Sequence, residues 1–197
     1  MVGYRLPSAP AFAWIAFLAA TLVDVHAQSH PLDVEHSTLT VQVYKSGLFS
    51  AFADNHTVSA PIASGAISEE EPRRVELMIR AADLRVLDPG LAADKRAEVQ
   101  SRMLGPDVLD VAKFPEIAFV STTIEPAGTD RWQVTGRLTI HGQTRSMTFP
   151  VARTGARYRG EAVIKQRDFG ITPIKVAGGT VRVKDEMKVQ FEIALRS

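Results

Sequence analysis

Side chains that readily support catalysis or metal binding are sparse in this sequence. Cysteine is absent, which excludes disulfide scaffolds, thiolate zinc sites, cysteine nucleophiles and redox dithiols. No G-x-S-x-G segment marks a serine nucleophile, and the five histidines form no H-E-x-x-H or H-x-H pair. Any chemistry would have to come from isolated histidines, carboxylates and hydroxyl groups.

Isolated histidines are the candidates for metal ligands. His141 is explained by the tight turn that it forms with Gly142, and His30 falls in an N-terminal stretch that we expect to be mobile. His56 follows Asp54 and Asn55, and this grouping could be a weak metal site or a turn that opens a strand. The sequence leaves both interpretations of His56 open.

Composition favours a folded chain with a sizeable core. The chain has 197 residues, of which 45% are hydrophobic and 23% charged. The 23 Lys and Arg residues nearly balance the 22 Asp and Glu residues, which gives a formal charge of +1. This balance argues against nucleic acid as a partner.

The first 27 residues resemble a secretory signal peptide. Arg5 precedes an apolar run over 9–23, and the segment Val25-His26-Ala27 has small residues at the positions that signal peptidase recognises. The run is shorter than the roughly 20 residues of a membrane-spanning helix. We therefore expect cleavage after Ala27, a mature domain of residues 28–197, and a periplasmic or secreted location.

Alternating apolar and polar residues dominate the rest of the chain and predict an all-β fold. In the clearest case, Trp132, Val134, Leu138 and Ile140 share one face of a strand. Pro61 cannot donate to a ladder, so we expect an edge or a bulge there. About eight strands are predicted, over residues 38–44, 56–67, 74–81, 116–124, 131–140, 146–153, 158–165 and 187–196. Their count and spacing predict an antiparallel barrel or sandwich.

Two local signals complete this prediction. The dipeptide His141-Gly142 predicts a two-residue hairpin turn. A helix is predicted from Asp94, as its N-cap, to Leu104, where Gly105-Pro106 ends it. One helix cannot cover a sheet, so we expect it to form a lid or plug at one end of a barrel.

The apolar faces of the predicted strands would together form the barrel interior. Eight-stranded barrels are either filled by side chains or hold one small ligand. Periodicity does not distinguish a filled barrel from a hollow one, so the residues alone leave this choice open.

Four segments resemble the YceI-like family of polyisoprenoid-binding proteins of the bacterial periplasm. The segment G-R-L-T-I-H-G-Q-T-R over 136–145 resembles that family's hairpin, and D-V-E-H-S over 33–37 resembles its opening segment. The family's (Y/F)-P-x-I-x-F-x-S-T strand has its counterpart in F-P-E-I-A-F-V-S-T over 114–122. The segment R-D-F-G-I over 167–171 is similar to R-x-D-F-G-I with one residue fewer.

The resemblance implies an eight-stranded lipocalin-like barrel with one or two short helices, and a hollow interior that binds a polyisoprenoid or similar fatty chain. It implies binding, transport or storage without enzymatic activity, and hence no catalytic residues, metal or cofactor. The residues expected to contact the ligand are Leu39, Val41, Leu77, Ile79, Phe119, Trp132, Val134, Leu138, Ile140, Phe149 and Phe191.

Two other functions remain open at this point. One is a metal-assisted enzyme or stress protein that uses His56, and the other is an accessory module that docks on a membrane or a redox partner. The segment from Lys45 to Ala66 departs from the family pattern, so the head group and class of the ligand are not specified. Strand edges leave monomer and homodimer open, and a lipid ligand is compatible with proximity to a membrane.

Overall fold

The structure is a computed structural model that describes residues 28–46, 55–176 and 181–196. The predicted signal peptide, residues 1–27, lies outside the described residues. The helix α1 spans Ala93–Leu104, and two 3-10 turns span Ala81–Asp83 and Gln166–Phe169. Within the described ranges the strands are β1 Ser29–Ser46, β2 His56–Ser59, β3 Ser64–Ser68, β4 Arg74–Arg80, β5 Arg85–Val86, β6 Glu116–Gly128, β7 Arg131–Ile140, β8 Gln143–Thr154, β9 Arg157–Lys165, β10 Lys175–Val176 and β11 Val181–Leu195.

Eight of the described strands close into an antiparallel barrel. Their order is β1-β3-β4-β6-β7-β8-β9-β11, and β11 pairs with β1 to complete the circle. The short strands β2 and β5 extend from β1, and β10 pairs with β11. The predicted eight-stranded lipocalin-like barrel is confirmed.

The β7–β8 hairpin shows how local sequence sets the register of the barrel. Val134, Gly136 and Ile140 are buried on the inner face of β7. His141 and Gly142 both have positive φ, of 50° and 70°, as a two-residue hairpin turn requires. The strands on either side pair without interruption from Ile140–Gln143 to Arg131–Ala152. The predicted turn is confirmed.

The predicted single strand over 56–67 is wrong, because the chain breaks at Pro61. β2 pairs with the second half of β1, whereas β3 pairs with the beginning of β1 and with β4. Between β2 and β3 the exposed Pro61 stands between Ala60 and Ile62, which are 2% and 6% exposed. Since Pro61 has no N–H to donate, the chain leaves the ladder there.

The expectation that His30 lies in a mobile stretch is also wrong. His30 belongs to β1 and pairs with Ile67 of β3. Two residues on, Leu32 is 2% exposed and packs with Ile62 and Ile193. Burial of Leu32 stabilises the packing of the first residues of β1 in the barrel.

The helix ends where predicted but begins with a different cap. Ala92 occupies the N-cap position and Asp94 lies in the first turn, where its carboxylate interacts favourably with the partial positive charge of the helix N-terminus. Val99 and Met103 pack against the buried core of the barrel. The helix therefore covers one end of the barrel, which we call the lid end. Among the described residues, no helix has the length and apolar character of a membrane span.

Candidate functional site

An apolar cavity of about 360 Å³ occupies the barrel interior on the side away from α1. Its wall contains all eleven residues predicted to contact a ligand: Leu39, Val41, Leu77, Ile79, Phe119, Trp132, Val134, Leu138, Ile140, Phe149 and Phe191. Contact of these residues with a ligand remains a prediction. The volume falls in the range of about 300–1,000 Å³ that is typical of small-molecule sites.

A second cavity, of about 350 Å³, lies between the barrel and α1. Leu91, Val99 and Met103 contribute to its wall from the helix and the loop before it. The two cavities share a set of wall residues, which we call the waist: Val41, Leu84, Ile117, Ile140 and Ile164. Two largely apolar chambers therefore lie on either side of the waist. The sequence did not predict the second chamber, because it depends on where α1 packs.

Aromatic rings form much of the wall of the first chamber. The rings of Phe119 and Phe149 lie 5.4 Å apart, and those of Phe149 and Phe191 lie 5.7 Å apart, in tilted and edge-on arrangements. Gly136 and Gly160 lie beside the rings of Phe119 and Phe191, where a Cβ atom would collide with each ring. Glycine at these positions lets the rings lie flat against the strands and keeps the chamber open.

Charged groups surround the end of the barrel opposite α1, and we call Glu69, Asp130, Arg153 and Tyr158 the open rim. Arg153 forms ion pairs with Asp130 at 2.9 Å and with Glu69 at 3.4 Å. The Tyr158 hydroxyl donates to Glu69. Partial burial, together with the neighbouring Glu69 carboxylate, raises the pKa of Tyr158 to about 12. In the open rim, two carboxylates therefore share the single guanidinium of Arg153, and the Tyr158 hydroxyl also donates to one of them.

Within the described residues, His56 has Asp88 as its side-chain partner and not Asn55. Asp54 lies outside the described residues, and Asn55 accepts a hydrogen bond from the backbone N–H of Lys45 at 3.3 Å. His56 instead pairs through Nδ1 with Asp88 Oδ2 at 2.5 Å. Across the ranges 28–46, 55–176 and 181–196, no three His, Asp or Glu side chains are grouped as metal ligands.

The sequence alone does not indicate that Asp88 is the partner of His56. The two residues are 32 positions apart, and pairing of β2 with β5 brings them together. No local pattern signals such a contact. The signal in the sequence was that the segment around His56 departs from the family pattern.

The fold defines a class: closed antiparallel barrels with an apolar interior, of the lipocalin-like kind. Barrels of the same fold are seen in BcnA of Burkholderia cenocepacia (TM-score 0.64, 21% identity, 84% of this chain and 99% of that one) and in a polyisoprenoid binding domain from Saccharophagus degradans (TM-score 0.59, 17% identity, 85% and 98%).

The family follows from the sequence comparison. The YceI-like domain model matches residues 31–195, and the chain belongs to this family. A UPF0312 protein of Pseudomonas savastanoi pv. phaseolicola is 34% identical over 106 residues, 49% of this chain and 53% of the relative. The matched segment spans about half the length of this and similar curated relatives.

Proposed function

We propose that this protein binds a polyisoprenoid or a similar long-chain amphiphile inside the barrel, as a carrier or store and not as an enzyme. The observation that supports this most directly is the pair of neighbouring chambers, whose walls consist mainly of aliphatic and aromatic side chains. The Saccharophagus barrel described above is named as a polyisoprenoid binding domain, which is consistent with such a ligand.

Hydrophobic burial accounts for affinity in this proposal. Each methylene-sized unit transferred from water to an apolar wall contributes roughly 0.8 kcal/mol. A chain that fills one chamber and continues through the waist would gain from many such units. Ion pairs and catalytic groups are not required along the chain itself.

Lipid retention in two neighbouring variants tests the proposal. Leu138 lines the first chamber, whereas the side chain of Thr139 bonds to Thr144 on the outer face of the barrel, at 2.8 Å. Native mass spectrometry of gently purified protein is expected to show a bound lipid in the wild type and in Thr139→Gln, and loss of it in Leu138→Gln. Circular dichroism checks that both variants fold. If Leu138→Gln folds and retains the lipid as the wild type does, the proposed binding site is wrong.

We further propose that the protein is exported to the periplasm or secreted, with its first 27 residues removed after Ala27. The support is the sequence of this segment, with Arg5, the apolar run and the small residues before the expected cleavage point. N-terminal sequencing of the exported protein is expected to begin at Gln28. A product that retains Met1 in the membrane would contradict export by cleavage.

A further inference from the structure

A buried histidine–aspartate pair lies at the lid end and has no part in binding an apolar chain. The side chains of His56 and Asp88 are only 12% and 8% exposed. His56 is part of the wall of the lid-end chamber. A titratable pair costs free energy to bury, so its position against an apolar cavity calls for an explanation.

The hydrogen bonds around Asp88 fix the orientation of the imidazole. Asp88 Oδ1 accepts from the backbone N–H of Thr57 at 2.8 Å, and Asp88 Oδ2 accepts from His56 Nδ1 at 2.5 Å. A carboxylate that accepts two such bonds leaves the Nδ1 proton on the histidine. Nε2 is then the ring nitrogen left for a ligand in the chamber, and it donates a hydrogen bond when the ring is the imidazolium, which carries a proton on both nitrogens.

The charges around the same chamber are predominantly positive. Its described wall includes the cationic side chains of Lys45, Lys95 and Arg102, against the carboxylate of Glu98 on the wall and that of Asp88 behind His56. Glu98 lies 3.4 Å from Lys95 and 3.7 Å from Arg102, so one acid is shared between two bases. This balance favours a negatively charged group in the chamber.

The opposite end of the barrel lacks this excess of positive charge. At the open rim, Arg153 is shared by the two carboxylates of Asp130 and Glu69. Arg73, which also lines the first chamber, is bound to Glu71. An anion entering there would have to compete with these acids. The two ends of the cavity therefore differ in the charge that they accept.

We propose that the lid-end chamber holds an anionic oxygen head group, a carboxylate or a phosphate, against the His56 imidazolium, whose Nδ1–H donates to Asp88 and whose Nε2–H donates to the head group. Asp88 acts as a positioning residue that holds the imidazole, and the chain of the ligand extends through the waist into the first chamber. A charged head would otherwise be costly to bury, and charge-assisted hydrogen bonds offset that cost. This inference rests on the proposed function, because it assumes that the cavity holds an amphiphile.

Three probes that share one hydrocarbon chain test the head-group site. Isothermal titration calorimetry on the full chain would compare farnesyl phosphate, farnesoic acid and farnesol, which share their hydrocarbon and differ in the head. We expect the anions to bind at least about tenfold more tightly than the alcohol, since a charge-assisted hydrogen bond is worth that much. A preference for the phosphate alone, or for the carboxylate alone, supports the site and identifies which source of the anionic head it accepts.

Variants at the two ends locate the head group. His56→Gln is expected to reduce the anion-to-alcohol affinity ratio by roughly tenfold. Lys95 is exposed, so its replacement spares the core, and Lys95→Gln is expected to reduce the ratio by about two- to threefold. Arg153→Gln at the open rim is the matched control and should leave the ratio unchanged. Because the ratio is taken within each variant, a fall in folded fraction weakens all three ligands alike and does not alter it.

Specific results would overturn the inference. Equal binding of anions and alcohol by the wild type would eliminate the head-group site but leave the apolar cavity intact. An unchanged ratio in both His56→Gln and Lys95→Gln, or a ratio lost in Arg153→Gln alone, would place any head-group recognition elsewhere. Binding of none of the three probes would contradict the proposed function as well.

Discussion

Single glycines determine how closely aromatic rings approach the barrel wall. At Gly136 a Cβ atom would lie 2.7 Å from the backbone oxygen of Val120 and would also collide with the ring of Phe119. Backbone atoms in a closed barrel have little freedom to move away, so the ring would have to turn into the first chamber. At this position a methyl group costs both stability and cavity volume.

We therefore expect Gly136→Ala to lower the free energy of unfolding by about 1–3 kcal/mol, through overpacking. Gly90→Ala is the control, because a Cβ atom there has nothing within 4 Å and the change should cost little. Urea denaturation of the two variants measures the difference. Equal midpoints would show that the wall near Phe119 adapts more readily than the packing indicates.

Tyr158 makes the stability of the fold depend on pH in the alkaline range. Partial burial and the Glu69 carboxylate raise its pKa from 10.0 to about 12, which means that the fold favours the neutral phenol. Its contribution to stability is therefore complete below pH 10 and is lost as the pH rises through about 12. Denaturation midpoints measured across this range should fall more steeply for the wild type than for Tyr158→Phe. Parallel curves for the two proteins would contradict the assignment.

The side chain of Gln100 attaches helix α1 to strand β5, beside the contacts of Val99 and Met103 and the bond from Arg96 to the Asp88 backbone oxygen at 3.1 Å. Gln100 Nε2 donates to the backbone oxygen of Leu84, and Gln100 Oε1 accepts from the backbone N–H of Val86, both at 2.8 Å. The amide thus bonds to strand β5 much as a neighbouring strand would. Since α1 has no fully buried residue, these two bonds are a substantial part of what holds the lid closed.

Replacing Gln100 should loosen the lid without unfolding the barrel. Gln100→Ala removes the acceptor of the Val86 N–H and one of the two donors to the Leu84 oxygen, the other being Arg85, and we expect local opening of α1 to become easier by about 1–2 kcal/mol. Hydrogen exchange of the helix amides would speed up while that of β7 and β8 stays constant. Ser101→Ala, at an exposed neighbouring position, is the control. Exchange that is unchanged in both variants would show that apolar contacts alone hold the helix.

The β7–β8 turn combines a conformational and a packing requirement. Gly142 has φ +70°, and a Cβ atom there would lie 2.6 Å from Cε1 of Phe114. Gly155 has φ +60° but nothing within 4 Å, so it isolates the conformational part. We expect Gly142→Ala to cost about 1 kcal/mol more than Gly155→Ala in the free energy of unfolding, measured by thermal or urea denaturation. A larger loss in Gly155→Ala would contradict this packing role of Phe114.

The strands were predictable to the extent that local pattern determines them. Period-2 alternation located β7, and the Gly105-Pro106 signal located the end of α1, because both depend on neighbouring residues. The break at Pro61, the inclusion of His30 in β1 and the Ala92 cap depend instead on which strand or turn packs alongside. The same distinction holds for the cavity. Alternation identified its apolar wall, whereas the contact of His56 with Asp88 arises only when β2 and β5 meet.

Considered as a whole, the molecule is a tube with chemically different ends. At the open rim two carboxylates share one guanidinium, whereas the lid end carries the histidine–aspartate pair and a surplus of bases. Between them the waist lines two chambers of similar volume, which the proposed ligand would connect. A ligand longer than one chamber has to pass through it, so residues of the waist control the length of chain that fits.

A larger side chain at the waist should therefore discriminate between ligands by length. Ile164 lines both chambers and is 8% exposed, whereas the next residue, Val163, points outward and is 60% exposed. We expect Ile164→Phe to weaken binding of a prenol about twice the length of farnesol on the order of tenfold, and to change farnesol affinity much less, because the shorter chain fits within one chamber. Val163→Phe, which places the same aromatic side chain on the opposite face, should affect neither ligand. Titration calorimetry with the two prenols measures both affinities. If Ile164→Phe weakens the two equally, the chambers do not act as a continuous channel, and the longer chain must be accommodated in some other way.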